Sequence, residues 1–227
     1  MSAIRPVWVT RARPGADRTA GRLHAQGFEP LVAPLLQIHA LPAALDLTGV
    51  QALAFTSANG VTAFAALSDT RTLPVMAVGD ASARAAREAG FAIIRSADGD
   101  LADLAAMIRA EARGLTIVHP CAAEPAGNLS AAVGDAAQIR SLPVYEARET
   151  GVAAPGAWGA VLIHSPRAGR ALAASLSPKA AEGRVAVAIS PAAAAPLERL
   201  PFAEVRVAAA PTEDALLATL GKPGVSV

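Results

Sequence analysis

Short runs of aliphatic and β-branched residues alternate with longer segments of helical period along almost the whole chain. Residues 6–10 are followed by a helical pattern over 15–26, and residues 52–56 by one over 58–67. Short strands that are apolar on both faces and alternate with helices are typical of parallel sheets covered by helices. The alternation therefore predicts an α/β protein built on mainly parallel sheets.

The sequence also repeats itself weakly. Four segments match a second segment about 109 residues further along the chain, namely Val9-Thr10 with Val118-His119, Pro34-Leu35 with Pro143-Val144, Phe55-Thr56-Ser57 with Ile163-His164-Ser165, and Val78-Gly79 with Ile189-Ser190. Matches of this kind also arise by chance, because apolar strands are often followed by Ser or Gly. The repeat nevertheless predicts two copies of one α/β unit.

The matched segments 34–39 and 143–148 indicate where the two copies are joined. Both have proline near their edges and partly alternate apolar with polar residues, as short exposed strands do. We predict a first, discontinuous domain over 1–36 and 147–227 and a second domain over 41–143. Residues 37–40 and 144–146 are then the two linker strands, which act as a hinge.

Charge and cysteine content exclude several classes of protein. The formal net charge of +1 gives no basic excess for binding the phosphate backbone of nucleic acids. A single cysteine excludes an intramolecular disulfide and multi-cysteine metal sites, and it fits a reducing compartment. We find no signal-peptide pattern at the start of the chain and no apolar stretch long enough to span a bilayer. These features predict a cytoplasmic protein without membrane or nucleic-acid contacts.

Serine precedes the first helical residue at two predicted strand-to-helix junctions, Ser57 and Ser165. Serine caps helix starts well, and free N–H groups at a helix start attract anions. Plain capping explains both serines too, but ligands in open α/β sheets bind beyond the carboxyl ends of the strands, where both serines fall. The junctions at Gly79 and Ser190 predict further carboxylate sites of the same type.

Two other polar side chains are candidates for a site. Arg11 follows the first strand and can pair with a carboxylate, or it can be a solvated loop arginine. Tyr145 is the only tyrosine and lies on a predicted linker strand. Its hydroxyl can face a cleft between the domains, or the ring can simply pack with the hydroxyl at the surface.

The sequence lacks the motifs and residue spacings of several other kinds of catalytic or binding site. The sequence has no G-x-S-x-G, G-x-G-x-x-G or G-x-x-x-x-G-K-[ST] motif. The four histidines have no metal-ligand spacing, and Cys121 near His119 is more typical of a structural thiol than of a nucleophile. We therefore predict neither a metal site nor a conventional catalytic triad.

The chain resembles the uroporphyrinogen-III synthases through pieces that occur in order along nearly its whole length. These pieces are Val9-Thr10-Arg11, Pro14-Gly15, Gly27-Phe28, Pro34-Leu35, residues 55–61, Ala77-Val78-Gly79 with Ser82, residues 142–146, the Ser165 junction, Ala188-Ile189 and Ala210-Pro211-Thr212. The chain departs from the family after Ile189, where Ser190, Ala192 and Ala193 replace a glycine and two threonines. The segment 119–128 also lacks the family's arginine- and glycine-rich pattern.

The resemblance implies two flavodoxin-like domains joined by a two-stranded β-ladder, with the substrate in the cleft between them. It implies conversion of hydroxymethylbilane to uroporphyrinogen III, with loss of water and inversion of ring D, and no cofactor. The substrate carries an acetate and a propionate on every pyrrole ring. It also implies a monomer that transiently contacts the upstream bilane-forming enzyme.

The resemblance further implies which residues line the site. Polar positions of the family's cleft match Thr10, Ser57, Ser82, Tyr145 and Ser165. We assign Ser57 and Ser165 to carboxylate binding, together with the backbone N–H groups of Asn59, Gly60, Arg167 and Ala168. Tyr145 is the candidate for assisting departure of the hydroxyl. The alternative function is a two-domain, hinge-bending binding protein for a small acidic ligand.

Overall fold

In the computed structural model, residues 6–222 are described, and they form eleven strands and nine α-helices. The strands are β1 (Pro6–Val9), β2 (Glu29–Val32), β3 (Leu36–Ala40), β4 (Ala52–Phe55), β5 (Val75–Ala77), β6 (Ile94–Ser96), β7 (Thr116–Ala122), β8 (Gln138–Glu149), β9 (Ala160–Ile163), β10 (Val185–Ala188) and β11 (Glu204–Val207). The helices are α1 (Gly15–Ala25), α2 (Ala58–Leu67), α3 (Asp80–Glu88), α4 (Leu101–Glu111), α5 (Leu129–Val133), α6 (Pro166–Ser175), α7 (Pro178–Ala181), α8 (Pro191–Ala194) and α9 (Glu213–Leu220). The predicted α/β fold with parallel sheets is confirmed.

The described chain divides into two compact units. The first unit contains the residues up to Gln37 and those from Arg148 onward, and the second unit is Ile38–Ala147. The chain therefore leaves the first unit within β3 and returns to it within β8. The predicted linker segments 37–40 and 144–146 lie in these two strands.

Strands β3 and β8 are hydrogen-bonded neighbours. The amide of Leu41 donates to the carbonyl oxygen of Val144 (2.9 Å), and the amide of Thr150 donates to that of Leu35 (3.0 Å). Residue numbers therefore fall along β8 as they rise along β3, which is the arrangement of antiparallel strands.

The first unit has a five-stranded sheet in the order β11-β10-β9-β1-β2, and all its neighbouring strands are parallel. Alternate residues of β1 point to opposite faces, so Trp8 belongs to one core cluster and Val7 and Val9 to the other. Trp8 packs edge-on against Trp158, with 5.4 Å between ring centroids. The guanidinium of Arg184 lies 4.4 Å from the centroid of the Trp158 ring. Helices thus cover both faces of the sheet.

The second unit has a six-stranded sheet in the order β3-β8-β7-β4-β5-β6, which is parallel from β8 to β6. Phe55, Phe64 and Phe91 form an aromatic cluster on one face, with centroid separations of 6.0 to 6.3 Å. A separate cluster around Leu104 and Ile108 fills the other face. The second unit therefore has its own two-sided core.

Strand β8 differs from the prediction. We predicted a separate linker strand over 144–146, but these residues belong to β8, which runs without interruption from Gln138 to Glu149. Its pairing with β7 shifts register between Cys121, opposite Pro143, and Ala122, opposite Tyr145. A bulge of this kind accommodates Pro143, which cannot donate a ladder hydrogen bond, and lets the strand continue.

Within residues 6–222, no helix is long and apolar enough to cross a membrane.

Two glycines in helices give opposite predictions for stability. An added Cβ at Gly169 of α6 would lie 2.4 Å from the carbonyl oxygen of Ala193, whereas one at Gly21 of α1 would meet no atom within 4 Å. We expect Gly169→Ala to destabilise the protein by about 1–3 kcal/mol through overpacking. Gly21→Ala should stabilise it by about 0.5–1 kcal/mol, because alanine favours helix. Urea unfolding midpoints test both changes, and equal midpoints would contradict the packing of α6 against α8.

Candidate functional site

Because the strands within each unit are parallel, the junctions after their carboxyl ends lie along one edge of the sheet. In the second unit these junctions follow β4, β5 and β7, and in the first unit they follow β1, β9 and β10. All the predicted site residues except Tyr145 belong to such junctions or to the first turn of the helix that follows.

In the second unit, Ser57 caps helix α2. Its Oγ accepts a hydrogen bond from the amide of Gly60 (3.0 Å), with Ser57 in an extended conformation (φ −158°, ψ 152°). A Cβ at Gly60 would lie 2.6 Å from the carbonyl oxygen of Pro120 in β7, so this close approach needs glycine. The Gly60 N–H is used by the cap, and its predicted carboxylate contact stays a prediction. Helix geometry leaves the amide of Asn59, earlier in the same turn, without an intrahelical acceptor.

Tyr145 lies against this helix start. Its Oη is 2.8 Å from Oγ of Ser57, and only 7% of the residue is exposed. Burial raises the pKa of Tyr145 above its ordinary value, and the hydrogen bond with Ser57 opposes this only in part. The phenol is therefore neutral near pH 7 and keeps a proton that it can donate. Ser57 and Tyr145, which are 88 residues apart in sequence, thus form one hydrogen-bonded pair.

His119, in the middle of β7, adds a group that the sequence analysis did not include in the site. Its Nε2 lies 3.0 Å from Oγ1 of Thr56, the residue before Ser57, and the histidine is 2% exposed. Burial lowers the pKa of His119 to about 4, so the imidazole is neutral at pH 7. The repeat could have revealed this position, because His119 aligns with Thr10, a predicted site residue that directly follows β1.

The remaining predicted residues of the second unit belong to helix α3. Gly79 is its N-cap, and its carbonyl oxygen accepts from the amides of Ser82 and Ala83. Ser82 is only 3% exposed, so its side chain presents no exposed group that could make the predicted substrate contact. Gly79, by contrast, is half-buried and presents backbone only.

The first unit contains two serine-capped junctions of the same design. Ser165 accepts from the amide of Ala168 at the start of α6 (3.2 Å), and Ser190 accepts from the amide of Ala193 at the start of α8 (3.3 Å). The φ and ψ angles of Ser165 are −164° and 156°, close to those of Ser57. The Ala168 N–H is used by the cap, and its predicted carboxylate contact stays a prediction. Arg167 is the first-turn position equivalent to Asn59.

Thr10 and Arg11, after β1, are both engaged within the first unit. Thr10 is fully buried, and its hydroxyl donates a hydrogen bond to the carbonyl oxygen of Leu162 (2.6 Å). Its side chain therefore presents no exposed group that could make the predicted substrate contact. Arg11 is partly exposed, and its Nη1 donates to Oε2 of Glu213 at 2.9 Å. The same oxygen lies 3.1 Å from Nε2 of His164. Glu213 and His164 are further polar groups that the sequence analysis missed.

The match to known proteins decides the family. The family model described as "Uroporphyrinogen-III synthase HemD" matches residues 17–218. The chain belongs to the uroporphyrinogen-III synthase family. Members of this family are cyclising lyases of heme biosynthesis.

Solved structures of synthases share the fold. The structure of uroporphyrinogen-III synthetase from Helicobacter pylori has a TM-score of 0.67 at 18% identity, covering 95% of this chain and 97% of that one. A mutant uroporphyrinogen III synthase from the extremely thermophilic bacterium Thermus thermophilus has a TM-score of 0.53 at 17% identity, with the same coverage of both chains. We found no match among curated protein sequences.

Within residues 6–222, no three His, Cys, Asp or Glu side chains are grouped so that they could hold a metal ion. The donors of the candidate site are backbone N–H groups at serine-capped helix starts, the buried phenol of Tyr145 within β8 and the partly exposed guanidinium of Arg11. These groups donate hydrogen bonds, and carboxylates accept them. The described chemistry therefore suits the binding of a carboxylate-rich molecule.

The buried imidazole of His119 makes the stability of the synthase depend on pH. The pKa is about 4 in the folded protein and near 6.5 when the side chain is exposed, so only the unfolded chain takes up this proton between those values. The free energy of unfolding should therefore fall by up to about 3 kcal/mol as the pH drops from 6.5 to 4.

His119→Asn should remove this part of the pH dependence, which urea titrations at a series of pH values would measure. His24→Asn is the matched control, because His24 is exposed on α1. If the His119 variant kept the wild-type slope between pH 6.5 and 4, the buried neutral imidazole would be contradicted.

Proposed function

We propose that this chain converts hydroxymethylbilane into uroporphyrinogen III, closing the macrocycle with loss of water and inversion of ring D. The observation that carries the proposal is the family match over residues 17–218. The serine-capped helix starts of both units support it, because every pyrrole ring of the substrate carries an acetate and a propionate. Helix starts attract such anions through their N–H groups and the helix dipole.

The enzyme's main task in this proposal is to hold the substrate in one conformation. Loss of the hydroxyl gives a reactive azafulvene that cyclises unaided to the wrong isomer. Fixing the carboxylates orients the pyrrole rings, and orientation alone is worth several kcal/mol of a reaction barrier. In the second unit the proposed contacts are Ser57, Asn59, Gly79 and Tyr145. In the first unit they are Arg11, Ser165, Arg167 and Ser190.

The proposed role of Tyr145 is to donate a hydrogen bond to the departing hydroxyl. Ser57 already accepts from the amide of Gly60, so its own proton can be donated to Oη of Tyr145. The phenol proton of Tyr145 is then directed away from Ser57 and is available to a substrate oxygen. A raised pKa keeps that proton on the phenol at neutral pH.

We further propose that the protein is a cytoplasmic monomer that uses no cofactor. It transiently contacts the upstream bilane-forming enzyme. A single cysteine and membership of a biosynthetic family support the cytoplasm. The instability of the substrate supports direct transfer between the two enzymes. The alternative of a binding protein for a small acidic ligand is not favoured, because the family model covers most of the chain.

A coupled assay tests the proposed activity. Hydroxymethylbilane is generated in situ with and without the protein, and the porphyrins are oxidised and separated by isomer. We expect the type III isomer to predominate when the protein is present. A type I product equal to the control without protein would rule out synthase activity.

Tyr145→Phe tests the proposed donor. The variant keeps the ring and its packing but loses the hydroxyl, so we expect kcat for the type III isomer to fall about tenfold or more. Cys121→Ala is the matched control in the neighbouring strand, since Cys121 is also buried, and kcat should stay within about twofold. Equal and negligible effects of the two changes would remove Tyr145 from the mechanism.

A further inference from the structure

Glu213, at the start of α9, accepts hydrogen bonds from three side chains of the first unit. Its Oε2 pairs with Nη1 of Arg11 at 2.9 Å and with Nε2 of His164 at 3.1 Å. Its Oε1 accepts from Oγ1 of Thr19 in α1 at 2.6 Å. One carboxylate is therefore hydrogen-bonded to residues that follow β1 and β9 and to a residue of helix α1.

The position of Arg11 depends on this carboxylate. A Cβ at Gly15 would lie 2.6 Å from Nε of Arg11, so the guanidinium lies directly over the backbone where α1 begins. A cation at a helix start is disfavoured by the helix dipole, and burial also lowers the pKa of Arg11. The charge of Glu213 opposes both effects, and its hydrogen bond with Arg11 holds the guanidinium beside the end of β1.

Glu213 also acts on the serine-capped start of α6. His164 directly precedes Ser165, and the side chain of His164 is 5% exposed. Within the described chain, Nδ1 of His164 has no hydrogen-bond partner. The bond from Nε2 to Glu213 is then what fixes the ring, and with it the residue next to the cap.

We propose that Glu213 is a positioning residue of the synthase, which holds Arg11 and, through His164, the Ser165 helix start in the geometry that binds a substrate carboxylate. Glu213 need not touch the substrate itself. The proposal rests on the proposed synthase function and adds to it a residue outside the assigned site. Its expected signature is weakened substrate binding with a preserved rate of the chemical step.

Glu213→Gln tests the proposal, because glutamine has the same shape but lacks the charge that pairs with Arg11. We expect the KM for hydroxymethylbilane to rise about tenfold and kcat to stay within about twofold. Asp214→Asn is the matched control, since it removes one negative charge from the next residue of the same helix turn. Asp214 is largely exposed and pairs with Arg22, so both kinetic constants should stay within about twofold of wild type.

A double-mutant comparison tests whether Glu213 acts through Arg11. Arg11→Gln alone should raise KM, and the double variant with Glu213→Gln should raise it little beyond the larger single effect. Effects that multiply would show that the two residues act independently and would contradict the proposal.

A purely structural effect is tested with Leu220→Ala, which removes a buried side chain from the far end of α9. This variant should lower the urea midpoint and leave KM unchanged. The proposal is overturned if Leu220→Ala raises KM as Glu213→Gln does, or if Glu213→Gln behaves like Asp214→Asn. A wild-type protein that forms no type III isomer would instead refute the proposed function.

Discussion

The hydrogen bond between a capping serine and the amide three residues later shapes the proposed site. It forms at Ser57, Ser165 and Ser190, each time directly after a buried parallel strand. The cap fixes the first turn of the helix, so the earlier amides of that turn point outward without an intrahelical acceptor. Parallel pairing then brings such turns to one edge of each sheet. Pairing and capping together give each α/β unit the set of helix starts that we propose as anion-binding positions.

A site made of backbone donors differs chemically from a catalytic triad. Its donors cannot titrate and are removed by no single side-chain substitution, so specificity resides in their spacing rather than in one residue. The two side chains that we propose as donors, Tyr145 and Arg11, are each hydrogen-bonded to an internal partner, Ser57 and Glu213 respectively. Positioning of donors is what a reaction needs when its intermediate is already reactive and the wrong cyclisation must be avoided.

Much of the fold could be predicted because local signals agree with it. The start of α2 follows from Ser57 as its cap, and buried strands such as β9 are apolar throughout. Helix α8 ends at Ala194 and the chain continues as a 3-10 turn, because Pro196 breaks the helical hydrogen bonding. Hydrogen-bonded pairs of residues that are distant in sequence could not be predicted from the sequence. Glu213 and Arg11 are 202 residues apart, and His119 and Thr56 are 63 apart, so only the sheet order brings them together. Gly60 and Ala168 were placed correctly at helix starts, but the sequence could not tell which amides the caps use.

The most direct test of the account is amide NMR with uroporphyrinogen III under exclusion of oxygen. Binding should shift the amide resonances of Asn59 and Arg167, the first-turn residues of the serine-capped helices α2 and α6. The amides of Ala102 and Asp103 should not move, because the start of α4 is already occupied by the carboxylate of Asp100. Shifts confined to exposed arginines, with Asn59 and Arg167 unchanged, would contradict the claim that capped helix starts bind the carboxylates.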